Sequence, residues 1–216
     1  MKPGVFTGLF VYRQSLTIPA TNRQNVHHYY IVYKPFQVLS QFSPQESKAT
    51  LKDFFPVPTD VYPVGRLDFD SEGLLILTND RRLNHRLLDP AFAHEREYWV
   101  QVEGTISPAA LHQLETGVTI SVDNQPYTTR PAKASLINPD PPVPERHPPI
   151  RFRAQIPTTW ISLTLTEGRN RQVRKMTAQT GFPTLRLIRY RIQKLSIEGM
   201  QPGEMREIRK EDITLP

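Results

Sequence analysis

The hydrophobic positions of the chain fall into short runs and alternations that predict β-strands. Apolar residues alternate with polar ones, or run together, in five segments: residues 29–33, 74–77, 98–102, 159–166 and 184–195. The run Leu74 to Leu77 contains no polar residue and lies between Gly73 and Asn79, which is typical of a strand buried on both faces. In the third segment the alternation places Tyr98 on the same face as two valines.

Three short helices are predicted between these strands. The first is capped by Asn79 or Asp80 and ends before Pro90, and it carries three leucines on one face: Leu83, Leu87 and Leu88. The second starts at Ser107-Pro108, stops at Gly117 and turns two leucines inward: Leu111 and Leu114. The third runs to Thr180, with Gly181 in the C-cap position. Strands with few helices predict an α+β fold.

The loop before the buried run concentrates charge. It reads Gly65-Arg66-Leu67-Asp68 and leads through Asp70 and Glu72 into the strand, so a carboxylate there is held by a rigid element. Acidic residues and glycines also gather in ordinary turns. Calcium binding is disfavoured, because position twelve of an EF-hand register starting at Asp68 is Asn79 where a bidentate Glu is needed. A glycosidase pair of Asp68 and Asp70 is a further, weaker reading.

Length and composition limit the class of protein. A chain of 216 residues buries roughly 70% of its extended surface, enough for one large domain or two small lobes. Cysteine is absent, which excludes disulfides, thiolate metal sites and cysteine nucleophiles. Residues 1–28 are predicted to be an irregular tail, not a signal peptide, and the sequence has no run long enough to span a bilayer. We expect a cytoplasmic monomer without a membrane partner.

The positive charge of the chain is concentrated in one segment. The whole chain carries +6, whereas Arg151 to Lys194 contains ten Lys or Arg and one acid, Glu167, which gives +9. Within this segment, Glu167-Gly-Arg-Asn-Arg-Gln-Val-Arg-Lys-Met176 predicts a turn followed by a helix with Arg171, Arg174 and Lys175 on one face. Such a segment is either a solvated basic face or a groove for phosphates, and the adjoining arginine-rich strand favours the groove.

A proline-rich stretch divides the chain. Pro139 to Pro149 holds six prolines in eleven positions, which predicts a loop or a polyproline-like excursion. It is compatible with a linker between lobes and equally with a surface loop within one sheet.

Five segments together resemble the pseudouridine synthases that modify small- and large-subunit ribosomal RNA. They are YKPFQVLSQF, GRLDFDSEGLLILTND, EYWVQVEG, EGRNRQVRKM and GMQPGEMREI, in that family's order and spacing across most of residues 29–210. The resemblance implies a catalytic domain over residues 29–216 with a mixed, mainly antiparallel sheet in two joined lobes around a central cleft. It also implies isomerisation of uridine to pseudouridine in large-subunit ribosomal RNA without metal or cofactor, with a non-catalytic RNA-binding or ribosome-assembly factor on the same scaffold as the alternative. From the length before the first motif we expect no N-terminal S4 RNA-binding domain of the kind that many family members carry.

The resemblance also implies which residues react. Asp68 matches the catalytic carboxylate, which attacks C1′, attacks C6, or assists through a glycal-type intermediate; the sequence does not choose among these. Arg174 matches the arginine of the third motif and is predicted to pair with Asp68, with a phosphate contact as its alternative. Tyr98 matches the tyrosine that stacks on the target base, with a core position on the strand as its alternative.

The remaining candidates are basic residues expected to contact RNA. Arg66 is predicted to fill the space that the flipped base leaves. The others are predicted to touch phosphate or to support the loops that do: Lys34, Arg169, Arg171, Lys175, Arg186 and Arg189. Asp70 and Glu72 are interpreted as structural residues of the turn.

Overall fold

A computed structural model describes residues 26–150 and 155–213 of the chain. The strands are β1 (Tyr29–Lys34), β2 (Val38–Leu39), β3 (Ala49–Thr50), β4 (Tyr62–Pro63), β5 (Glu72–Thr78), β6 (Arg96–Glu103), β7 (Thr119–Val122), β8 (Gln125–Thr128), β9 (Lys133–Leu136), β10 (Thr158–Leu165), β11 (Thr184–Ile192), β12 (Leu195–Ser196) and β13 (Met205–Glu207). The helices are α1 (Arg81–Leu88), α2 (Pro108–Thr116) and α3 (Gln172–Gln179). The expected irregular tail lies almost wholly in residues 1–25, outside the described residues.

The principal sheet consists of two antiparallel halves joined by one parallel contact. Its strand order is β13-β1-β5-β11-β6-β10-β9, with β4 beside β5 and β12 beside β11. Among the described strands of this sheet only β5 and β11 pair in parallel, and their pairing covers just Ile188 with Glu72 and Arg189 with Gly73. A mixed, mainly antiparallel sheet is therefore confirmed. The short parallel contact leaves the loop before β5 beside the second half of the sheet.

Gly73 makes this junction possible. Its φ is +109°, and a Cβ built on it would lie 2.3 Å from the backbone oxygen of Arg189. Only glycine accepts both the positive φ and the close approach of the other strand. All seven residues of β5 are buried, as the run Leu74 to Leu77 predicts.

Three hydrophobic clusters hold the two halves. Tyr33, Leu74 and Ile188 belong to a cluster that spans both halves. A second cluster lies between the second half and helices α2 and α3. The third packs Val32 and Leu75 against the segment that follows β1. Because the clusters use opposite faces of the same strands, the sheet is covered on both sides.

All three predicted helices form, but α3 begins at Gln172, so that Arg171 is its N-cap and not a helical residue, and its C-cap is Thr180 and not Gly181. Asp80 caps α1 by accepting from the backbone N–H groups of Arg82 and Leu83, and Gly117 follows α2 with a φ of +106°. Leu83 and Leu87 are buried, but Leu88 is 48% exposed, so its predicted place on the buried face is wrong. Leu88 is one residue past Leu87, a rotation of about 100° that carries it away from the core.

Two further predictions are corrected or decided. The strand predicted over residues 184–195 ends at Ile192, because Gln193 takes a φ of +51° and the chain returns as β12 in a hairpin. The proline-rich stretch lies between β9 and β10, which pair with each other, so it is a loop within one sheet and not a linker between lobes. Its Arg146 lies over the ring of Phe36, 4.1 Å from the centroid.

Candidate active site

The loop that carries Asp68 is held from the side of the first motif. Ser40 accepts a hydrogen bond from the backbone N–H of Leu67 at 3.0 Å and donates to its carbonyl oxygen at 2.9 Å. The N–H of Gln37 donates to the carbonyl oxygen of Phe69 at 2.9 Å. Leu67 itself is buried. Asp68 therefore lies between two anchored residues, with its own side chain one-third exposed.

The other side of the loop is held by α3, through Asp70. Arg171 donates to both carboxylate oxygens of Asp70, at 2.8 and 2.7 Å. Arg174 donates to the backbone oxygen of Asp70 at 2.5 Å, and its Nε lies 3.3 Å from Asp70 Oδ2. The hydrogen bonds from Arg171 hold the pKa of Asp70 below its usual value.

The predicted ion pair of Arg174 with Asp68 is wrong in this structure. Arg171 is the arginine next to Asp68, with Nη1 3.5 Å from Oδ2. Arg174 reaches Asp70, because it lies nearly one turn further along α3 and is only 14% exposed. Burial lowers the pKa of Arg174, and the nearby carboxylates oppose that shift. The predicted phosphate contact of Arg174 stays a prediction.

A turn of the backbone places Arg171 at the N-terminus of α3. Arg171 is the N-cap residue and takes the left-handed conformation, φ 52° and ψ 32°. Val173 and Met176 are buried and fix the orientation of the helix. The left-handed turn is unusual for an arginine and points its side chain back over the loop of Asp68.

Glu167 organises this arginine-rich turn, a role that the sequence analysis missed. It is 5% exposed and accepts hydrogen bonds from the Tyr127 hydroxyl at 2.5 Å, the Arg130 backbone N–H at 2.9 Å and Gln172 Nε2 at 2.7 Å. Burial would raise the pKa of Glu167, but these donors outweigh it and lower the pKa. The sequence signal for this role is that Glu167 is the single acidic residue between Arg151 and Lys194.

Tyr98 and Arg189 form the opposite wall from neighbouring strands. They are directly paired between β6 and β11. Tyr98 is partly buried, on the face of its strand that carries Val100 and Val102, as the alternation predicts. Arg189 is 5% exposed, donates from Nε to the Leu74 oxygen at 2.7 Å, and has a buried Nη2 without a hydrogen-bond partner among the described residues.

These elements enclose one cleft at the junction of the two halves. Its volume is about 410 Å³. Six of the predicted site residues line it: Arg66, Asp68, Tyr98, Arg169, Arg171 and Arg189. The cleft is lined by one tyrosine and by more guanidinium groups than carboxylates, which suits an anionic ligand that carries a flat ring.

Lys34 is not an RNA contact. Its side chain is fully buried, and Nζ donates to the carbonyl oxygens of Pro35 at 2.9 Å and Val38 at 2.7 Å. Burial lowers the pKa of Lys34 to about 7, with Glu72 opposing the shift. Lys34 therefore supports the loop of the first motif, which was the alternative given to it.

Arg186 is not an RNA contact either. Its guanidinium is 6% exposed and forms two hydrogen bonds of 2.8 Å with the carboxylate of Glu72, which is 2% exposed. Both partners are inside the protein because β5 and β11 adjoin there. The interpretation of Glu72 as structural agrees with this ion pair.

The other basic residues remain at the surface. Arg66 is exposed at the mouth of the cleft, and the Arg169 guanidinium lies 4.7 Å from the centroid of the Tyr127 ring. Lys175 is partly buried on α3. Arg151 and Arg153, which contribute to the +9 segment, lie outside the described residues. The predicted RNA contacts of Arg66, Arg169, Arg171 and Lys175 stay predictions.

Neither a cluster of metal-binding side chains nor a helix able to span a membrane is found among the described residues. Residues 26–150 and 155–213 contain no group of three or more His, Cys, Asp or Glu side chains placed to hold a metal ion. In the same residues, every helix is too short or too polar to cross a membrane.

Comparison with known proteins places this cleft in a family. The family model described as RNA pseudouridylate synthase matches residues 28–179. Ribosomal large subunit pseudouridine synthase E of Vibrio vulnificus (strain CMCP6) is 51% identical over 178 residues, which cover 82% of this chain and 74% of the relative. The protein of the same name from Xanthomonas axonopodis pv. citri (strain 306) is 48% identical over 174 residues, covering 80% and 89%.

A solved structure supports the same assignment. The protein described as "Crystal structure of pseudouridylate synthase" superposes with a TM-score of 0.70 at 25% identity, covering 87% of this chain and 73% of that one. The resemblance found in the motifs is thereby confirmed over most of the chain. The chain belongs to the RNA pseudouridylate synthase family, and it is an enzyme that isomerises uridine to pseudouridine.

Proposed function

We propose that this enzyme isomerises a uridine of large-subunit ribosomal RNA, with Asp68 as the group that acts on the flipped-out nucleotide. The observation that carries the proposal is the position of Asp68. It is one-third exposed within the cleft, beside Arg171, on a loop anchored from both sides. The relatives named for the large ribosomal subunit support the choice of RNA.

The reaction requires one carboxylate in its charged form. The N1–C1′ bond breaks, the uracil turns, the C5–C1′ bond forms, and the proton on C5 is lost. Asp68 assists as a nucleophile or by stabilising a glycal-type intermediate. The guanidinium of Arg171 lies 3.5 Å from the Asp68 carboxylate, so a positive charge adjoins the reacting group when RNA covers the cleft.

In this proposal Tyr98 and Arg189 hold the uracil. The ring of Tyr98 offers a stacking face on the wall of the cleft. The unpartnered Nη2 of Arg189 is a buried donor beside it, suited to a carbonyl oxygen of the base or a ribose hydroxyl. Arg189 thus contacts the target nucleotide and not the strand's outer phosphates.

The exposed cations at the rim bind the strand. Arg66 enters the space that the flipped base leaves, and Arg169, Arg171 and Lys175 contact phosphates. With these groups the enzyme works as a monomer in the cytoplasm, where ribosomal RNA is accessible.

Release of tritium from C5-labelled uridine tests the proposal. Wild-type enzyme is incubated with large-subunit ribosomal RNA that lacks its pseudouridines, and the modified position is mapped by sequencing. Asp68→Asn should abolish release while the circular dichroism spectrum and RNA binding persist. Full release by Asp68→Asn would overturn the role of Asp68. Tritium release from small-subunit ribosomal RNA alone would overturn the assignment of large-subunit RNA as the substrate.

A further inference from the structure

A second groove lies beside the catalytic cleft, along α1. Its volume is about 630 Å³, and it is lined by Arg81, Asn84, His85, Leu88, Asp89 and Pro90. The last three of these residues also line the catalytic cleft. The two hollows therefore share a wall and lie side by side at the mouth of the active site.

The orientation of α1 creates this groove. Leu83 and Leu87 are buried, which fixes one face of the helix against the core. Arg81, His85 and Leu88 then project outward at i, i+4 and i+7, and all three are exposed. The exposure of Leu88 gives the groove an apolar patch two helical turns along from the cation of Arg81.

The acidic residues nearest the groove form hydrogen bonds with groups other than the guanidinium groups of Arg81 and Arg82. Asp89 accepts a hydrogen bond from the backbone N–H of Ala91 at 2.9 Å. Asp80 is 3% exposed and bonds the N-terminus of α1 and the Nζ of Lys210. Within the part of the chain that the structure describes, Arg81 and Arg82 have no carboxylate partner. The outer face of α1 is thus net cationic.

We propose that this groove binds the stretch of the RNA strand adjacent to the target uridine, with a phosphate on Arg81 and a sugar or base against Leu88 and Pro90. The proposal rests on the proposed function, because it is the target uridine in the cleft that brings the neighbouring nucleotides here. An RNA strand that enters the cleft between Arg66 and Arg171 must leave along one of the sides of the cleft. One of these sides is lined by Leu88, Asp89 and Pro90. Phosphate, sugar and base match a cation beside an apolar patch.

A matched pair of variants tests the groove. Arg81→Ala and Arg82→Ala remove the same charge from neighbouring exposed positions of α1, but only Arg81 lines the groove. Dissociation constants for transcribed large-subunit ribosomal RNA are measured over a range of salt, in an Asp68→Asn background that cannot turn over. Arg81→Ala should weaken binding by about fivefold and reduce the salt slope by about 0.7 to 1, while Arg82→Ala stays within about twofold of the parent. Equal losses in both variants, or none in Arg81→Ala, overturn the proposal.

Cross-linking locates the strand. The photoreactive replacement His85→p-benzoylphenylalanine should cross-link to nucleotides close to the uridine that the wild-type enzyme converts, and the same replacement at Arg82 should not. Cross-links from residue 85 only to distant nucleotides overturn the proposal. Conversion by the wild type is scored in the same preparation, so a failure of the proposed function shows as no pseudouridine, independently of either variant.

Discussion

Arg171 forms two hydrogen bonds with the carboxylate of Asp70, at 2.8 and 2.7 Å, across one hundred and one positions of sequence. We call this pair of hydrogen bonds the Arg171–Asp70 clamp. It joins the start of α3 to the loop that carries Asp68. Arg174 adds a bond to the backbone of the same residue. Two acids separated by one residue thus have separate tasks, since Asp70 holds the loop and Asp68 faces the cleft.

Because Asp70 positions the loop of Asp68 and does not react itself, we expect substitution of Asp70 to reduce the reaction rate without abolishing it. Asp70→Asn keeps one acceptor oxygen but loses the charge, so the loop should shift and the rate of tritium release at saturating RNA should fall by about tenfold to a hundredfold. Asp68→Asn should leave no measurable release. Single-turnover kinetics measure both.

Asp60→Asn is the control for Asp70, because Asp60 is an exposed, hydrogen-bonded carboxylate that does not line the cleft. It should retain the wild-type rate. A wild-type rate in Asp70→Asn would contradict the clamp, and an inactive Asp70→Asn beside an active Asp68→Asn would reverse the two roles.

Glu167 should be required for the order of the arginine-rich turn. Glu167→Gln places an amide N–H₂ against three donors, and we expect about 1 to 3 kcal/mol less free energy of unfolding, measured by urea denaturation. Because the folded state lowers the pKa of Glu167, the stabilisation is present above its ordinary pKa and lost as the pH falls through the lowered value. Glu115→Gln should change stability little, because the Glu115 side chain is about half exposed. Equal stability of wild type and Glu167→Gln would contradict this role.

We expect the lowered pKa of Lys34 to make the free energy of unfolding rise with pH. Its pKa is about 7 in the folded protein against 10.5 as the ordinary value, so between these two the unfolded chain holds a proton that the folded protein lacks. The free energy of unfolding therefore increases with pH in this window, by up to about 1.4 kcal/mol per pH unit from this group. Urea unfolding at about pH 6 and about pH 9 should show this increase in wild type and a smaller one in Lys34→Met. Identical slopes would exclude the shift.

The buried ion pair predicts that Arg186 acts on stability and not on RNA. Arg186→Met leaves the carboxylate of Glu72 buried without its partner and should cost about 3 to 5 kcal/mol of unfolding free energy. The double variant Glu72→Met with Arg186→Met should recover much of that loss, because no buried charge is left. A double variant as unstable as the single one would contradict the pairing.

Arg169 provides the opposite case, because it is exposed at the cleft. Arg169→Ala should lower the salt slope of RNA binding by about 1 with little change in unfolding free energy. The slope for Arg186→Met, measured where that variant is folded, should equal that of wild type. A reduced slope in Arg186→Met would restore it as an RNA contact.

The sequence alone determined the local elements and the identity of the acidic loop. Strand alternation, the apolar run Leu74 to Leu77, and the caps at Asp80 and Gly117 act over a few residues, so their effect is visible without the fold. The motifs that resemble the family identified Asp68 and Tyr98 as candidates, and the structure brings both to one cleft.

Only the tertiary structure decided which charged groups meet. Arg174 and Lys34 were placed by motif, yet Arg174 bonds Asp70 and Lys34 is buried beneath its own loop. Arg186 and Arg189 lie three residues apart on β11, and the alternation of a strand shows that they face opposite sides, but not that both sides are covered and both arginines buried. That depends on the pairing of β5 with β11, a contact between residues more than a hundred positions apart that no local pattern encodes.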